Sequence, residues 1–169
     1  DRATSNICTA QVLLAVMAGL FAVYHGPEGL RRMATDIASQ AAGFARVLRD
    51  AGFDVVHDHF FDTVQVRVPG RAAEYAARAM ENNLLITEVD DDTIQLSFDQ
   101  TTAEASSRGV GSAVFQALAA TFELTDYRGE AADSPAIPEE LTRTSDFLGH
   151  PVFNVHRSET QMMRYLKSL

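Results

Sequence analysis

The chain has 169 residues, 46% of them hydrophobic, which is enough for one domain with a buried core and excludes global disorder. Its formal charge of −9 repels phosphate-rich partners, so neither nucleic acid nor an anionic membrane surface is an expected ligand. The single cysteine, Cys8, rules out an internal disulfide and fits a reducing compartment.

The first predicted element is an apolar helix over residues 6–24. Ser5 or Asn6 is placed to cap it, because either side chain can accept from the free amides of a first turn. The run approaches the length of a membrane span. Cys8, Thr9, Gln11 and several alanines leave it short of the roughly 20 strongly apolar residues that a span needs. A core helix buried on several sides is the expectation. No secretory signal is expected, since a basic start and a small-residue cleavage pattern are missing. Gly26-Pro27 breaks the helix, and a second follows to about residue 51. In it Leu30, Met33, Ile37, Ala41, Phe44 and Leu48 recur at three- and four-residue steps, and Gly52 supplies a left-handed cap.

After Gly52 the period changes to two. Residues 53–56 read as a short strand, and residues 63–68 alternate with their valines on one face. Pro69-Gly70 ends that strand, and residues 71–81 form an alanine-rich helix. Residues 84–89 and 93–98 make a hairpin around Asp90-Asp91-Asp92, and a last helix carries Val110, Val114, Leu118 and Phe122 on one face. This order predicts an α+β fold in which a small antiparallel sheet is covered by helices. Beyond residue 123 the pattern dissolves, and residues 129–138, rich in Ala, Asp, Pro and Ser, read as a linker. Ser158-Glu159-Thr160-Gln161 is a capping box that opens a helix with Met162, Leu166 and Leu169 on one side. The expected division is 1–52 as linking helices, 53–124 as the small sheet domain, and 125–169 as a connector leading into a following helix. A start without methionine and a stop inside a helix lead to the expectation of a piece of a larger protein.

Several residues are candidates for chemistry. Thr4, Ser5 and Asn6 cluster at a helix mouth, where simple capping and anion binding are compatible, because free amides and the dipole both favour negative charge. Cys8 reads either as a small buried residue or as a redox-sensitive thiol with its pKa lowered by the helix N-terminus. His57-Asp58-His59 would need further ligands to hold a metal, and Asp90-Asp91-Asp92 lacks the spacing of a calcium loop, so no metal is expected. Asp62 and Thr63 are read as turn-shaping. His150 and His156 flank the loop before the capping box; His156-Arg157-Ser158-Glu159 reads as a carboxylate or phosphate site, or as a surface loop and cap.

Two regions go further. Thr4-Ser5-Asn6-Ile7-Cys8-Thr9, continuing to Tyr24-His25-Gly26-Pro27-Glu28-Gly29-Leu30, resembles the glycine decarboxylase P-protein family of the glycine cleavage system. The resemblance returns in Gly149-His150-Pro151-Val152-Phe153-Asn154 and in Ser158-Glu159-Thr160-Gln161-Met162-Met163-Arg164-Tyr165. Phe61-Asp62-Thr63 resembles a triplet of the same family, and the similarity is densest at residues 2–30 and 147–166. It implies the small C-terminal-type domain of a type I transferase fold dependent on pyridoxal 5'-phosphate (PLP). The family resembles two such folds in tandem, the first without its lysine, and this chain would end the first half and connect to the second.

The implied parent is a glycine dehydrogenase (aminomethyl-transferring, decarboxylating). It would use PLP to release carbon dioxide from glycine and pass the aminomethyl group to the lipoyl arm of the H-protein. The implied partners are the remainder of the P-protein, the H-protein and glycine, in a homodimer or a two-chain dimer of halves, in a bacterial cytoplasm. By analogy with related PLP enzymes, Thr4, Ser5 and Asn6 would lie near the cofactor phosphate. Such enzymes anchor the cofactor through a lysine amine. The one lysine here, Lys167, follows neither a strand nor a glycine-rich loop. No catalytic residue and no covalently held PLP are therefore expected in this chain, which is predicted inactive alone. The alternative is a freestanding small α+β module that binds a ligand or a partner.

Overall fold

The computed structural model describes residues 9–102, 113–125 and 127–169. The chain divides into a helical unit, Asp1–Arg32 with Arg143–Leu169, and a sheet unit, Met33–Thr142. Helix α1 spans Thr9–Asp50 and is interrupted at Gly26, whose φ of 59° and ψ of −173° are not helical. Pro27 then opens the second run, a position where its missing N–H costs nothing. The predicted pair of helices is thus one element with a break at the expected dipeptide.

In the sheet unit the element order is β1 (Asp54–Val55), β2 (Thr63–Arg67), α2 (Ala72–Glu81), β3 (Thr87–Asp90), β4 (Thr93–Ser97) and α3 (Ala113–Phe122). The four strands are all antiparallel in the order β1-β2-β4-β3. Register follows the alternation. Val64 pairs with Leu96 and Val66 with Ile94, and all four side chains are buried. The other face is polar: Gln65 donates to Gln95 at 2.9 Å, and the Thr63 and Ser97 hydroxyls are 2.9 Å apart. The helices therefore cover one face of the sheet. The Asp90-Asp91-Asp92 turn is a hydrogen-bonded device, in which Asp90 Oδ1 accepts from the Asp92 amide and Asp92 Oδ1 accepts from the Gly70 amide.

The core lies between sheet and helices. Phe44 is fully buried and touches Phe98, Phe122 and Tyr127, with ring centroids 5.4–5.5 Å apart. Each such side chain is worth about 2 kcal/mol of burial. The end of α1 is closed by a Schellman pair, Gly52 N to Arg49 O and Phe53 N to Leu48 O.

Two features differ from expectation. Residues 38–45 are buried all round, because the stretch that composition casts as a linker lies along α1. Gln40 donates to the Gly129 carbonyl, Ala132 N donates to the Ser39 carbonyl, and Gly43 meets the Glu130 backbone. Small residues on both sides allow this approach. The second difference is in the helical unit. The apolar first run of α1, expected to be buried, is exposed from residue 11 to 19 and again at Phe21. Leu13, Leu14 and Met17 are 63%, 66% and 58% accessible. An all-round apolar helix shows a tendency to be covered, and does not supply the cover.

The helical unit ends in α4 (Val152–Val155) and α5 (Glu159–Ser168). Ser158 caps α5 by accepting from the Gln161 amide, and Gln161 Oε1 accepts from the Arg157 amide. The capping box is present, with its return bond one residue upstream of the usual place. Along α5, Met162 and Tyr165 are half-buried while Leu166 and Leu169 are exposed, so the predicted apolar side is only partly used.

Candidate functional site

The candidates Thr4, Ser5, Asn6 and Cys8 lie outside the described residues, as does Val110. The remaining ones fall into separate places. His57, Asp58 and His59 are exposed in the sheet unit, where Arg49 donates to the His57 carbonyl at 2.9 Å and to Asp58 at 3.5 Å. Thr63 donates to Asp62 Oδ1 at 2.9 Å, and the Asp62 carbonyl accepts from Phe98, so this pair opens β2 as a turn should. Among the described residues no three His, Cys, Asp or Glu side chains gather as a metal site would require.

The helical unit holds the most concentrated polar chemistry. The break at Gly26 leaves a flat, bare backbone, and the Arg157 guanidinium packs directly on it; a Cβ at Gly26 would overlap the guanidinium nitrogens and carbon. Arg157 is fixed by two further contacts, its amide to Gln161 Oε1 at 2.9 Å and its Nη2 to Asn154 Oδ1 at 3.4 Å. Asn154 in turn donates to the carbonyls of Leu148 and His150, both at 3.2 Å. His25, half-buried beside the break, has its pKa lowered by burial and then by the charges of Arg32 and Arg157. His150 accepts from the Val152 amide at 3.2 Å, an end-of-helix role.

The predicted grouping of His156, Arg157, Ser158 and Glu159 is split apart. His156 stacks on Tyr165 with centroids 4.4 Å apart, Arg157 turns to Gly26, and Ser158 caps α5. Arg157 instead lies at the break next to His25, whose pKa also senses the charge of Arg32, a grouping missed in the sequence because residues 25 and 157 are remote.

Lys167 lies exposed in the last turn of α5. The open hollow beside it, about 360 Å³, is lined by Val155, His156, Gln161, Arg164, Tyr165 and Ser168 and does not include it. An apolar pit of about 90 Å³ in the sheet unit, between Leu84–Ile86 and Leu118, is too small for a cofactor. Lys167 lines neither of these two hollows.

Residues 1–112 match the glycine cleavage system P-protein family. The chain belongs to that family. A glycine dehydrogenase (decarboxylating) from Cutibacterium acnes (strain DSM 16379 / KPA171202) is 46% identical over 175 residues, an alignment that covers all of this chain. The chain spans 16% of that relative's length.

Proposed function

We propose that this chain is a structural part of a PLP-dependent glycine decarboxylase, the P-protein of a bacterial glycine cleavage system, and is inactive by itself. The observation that carries the reading is membership of the family together with 46% identity to a glycine dehydrogenase (decarboxylating) along the full chain. The exposed position of its one lysine, Lys167, supports assigning the cofactor anchor to another part of the parent. PLP, when bound there, acts as an electron sink for decarboxylation. The aminomethyl product would pass to the lipoyl arm of an H-protein.

Within this reading residues 1–52 serve as linking helices of a type I transferase fold, 53–124 as its small domain, and 125–169 as the connector. Thr4, Ser5 and Asn6 are assigned to the neighbourhood of the cofactor phosphate, and Cys8 is a candidate redox thiol. The parent works in the cytoplasm as a homodimer or a dimer of two-chain halves.

The test is release of labelled carbon dioxide from carboxyl-labelled glycine by the full-length parent, with and without lipoylated H-protein. Release that requires PLP and rises with H-protein is expected. A folded, PLP-loaded parent that releases none would overturn the reading. In the same protein Thr4→Ala should raise the PLP dissociation constant, and an unchanged constant would remove Thr4 from the phosphate site.

A further inference from the structure

We propose that His25, Arg32 and Arg157 form an oxyanion site at the break in α1, suited to a phosphate or carboxylate group. The site does not depend on the glycine-cleavage reading.

The geometry commits Arg157 to this place. Its guanidinium rests on the bare backbone of Gly26, its own amide is held by Gln161, and Asn154 accepts from one nitrogen at 3.4 Å. A guanidinium has five N–H donors, so most of this fork is left for another acceptor. Planar forks match carboxylate and phosphate oxygens two at a time. Arg157 is exposed, and its contacts with Gly26 and Asn154 reduce the side-chain entropy it would lose on meeting an anion.

The charge around it is uncompensated. Among the described residues no carboxylate lies within ion-pair distance of Arg32 or Arg157. The acid next to the break, Glu28, is taken by Arg31 at 2.7 Å. Arg157 lies against Gly26, next to the half-buried His25, whose pKa is lowered by burial first and then by the charges of Arg32 and Arg157. The imbalance extends across the unit. The helical unit carries seven basic against four acidic side chains, the sheet unit seven against nineteen. In a chain of net charge −9, a cationic cluster without its own acids is a local exception, and an incoming oxyanion would remove the repulsion.

The experiment is a titration of the 169-residue chain with inorganic phosphate at constant ionic strength, at a concentration where light scattering gives the monomer mass, read by NMR on the His25 ring and the arginine Nε–H resonances. A parallel arm uses acetate. Saturable shifts at His25, Arg32 and Arg157 are expected. Arg157→Gln should weaken binding by about tenfold or more, the loss of one charge-assisted hydrogen bond. Arg157→Lys, which keeps the charge and loses the fork, should fall between. Arg46→Gln, an exposed arginine of the sheet unit, should leave binding unchanged. Tighter phosphate than acetate would identify a phosphate ester as the ligand class, and the reverse order a carboxylate. Shifts that grow linearly with both salts, or equal affinity in wild type and Arg157→Gln, would overturn the site.

Discussion

Tyr127 shows how one residue can contribute large packing and still hold back stability. Its ring lies 5.4 Å from Phe44 and 5.8 Å from Phe115, deep in the sheet unit, yet its hydroxyl is buried without a hydrogen-bond partner among the described residues. Gln40 Oε1 is in the same condition. A lost partner costs the full desolvation of the group, while removing the group restores it. Tyr127→Phe should therefore leave the fold unchanged and raise its stability by up to about 1 kcal/mol in urea denaturation. Burial first, and the Glu130 charge second, push the Tyr127 pKa up. The phenol is protonated in both states below the unfolded value of about 10, so its effect appears only above that pH. There the unfolded chain releases the proton and the folded chain retains it, so stability falls as pH rises. Wild type should lose stability more steeply than Tyr127→Phe above about pH 10. Parallel pH profiles for the two proteins would contradict the burial of this hydroxyl.

At the level of elements, the ends were more legible than the faces. Gly52 closes α1, Pro69-Gly70 follows β2, and Ser158 caps α5, each where the residue type alone predicts a local hydrogen bond. Such bonds join residues a few positions apart, so a sequence displays them directly. Ser158→Ala removes the acceptor for the Gln161 amide and should cost about 1 kcal/mol of local helix stability. Amide exchange at Gln161 and Met162 should speed up, with the sheet unit unaffected; unchanged exchange would mean that the return bond from Gln161 to the Arg157 amide holds the turn alone. Docking of residues 129–132 along α1 was not legible. It depends on two backbones meeting at Gly43, and composition signals only that the stretch is small and polar. The Arg157 contact with Gly26 escaped for the same reason, since a Gly-Pro bend says nothing about which distant side chain will lie on it.

The whole chain is unevenly finished. Its sheet unit has a closed aromatic core and most of the negative charge, while the first run of α1 presents Val12, Leu13, Leu14, Val16, Met17 and Phe21 to solvent. The apolar character of this run was plain in the sequence, but the surface that would cover it was not. On the glycine-cleavage reading the missing cover is the remainder of a polypeptide of which this chain spans 16% in its relative. An exposed contiguous apolar face drives association when nothing else occupies it. The isolated 169-residue chain should therefore show a light-scattering mass that rises with concentration above its 18.4 kDa monomer. Added salt should strengthen this, because it screens repulsion between copies of a chain that carries a net charge of −9. Glutamine is a good helix former, so replacing Leu13, Leu14 and Met17 with it removes the apolar surface and keeps the helix. The triple variant should remain monomeric over the same range with unchanged helical circular dichroism. A wild-type chain that is monodisperse at every concentration and salt would show that the first run of α1 is covered within the monomer, and the freestanding-module reading would then gain the support that the exposed face denies it.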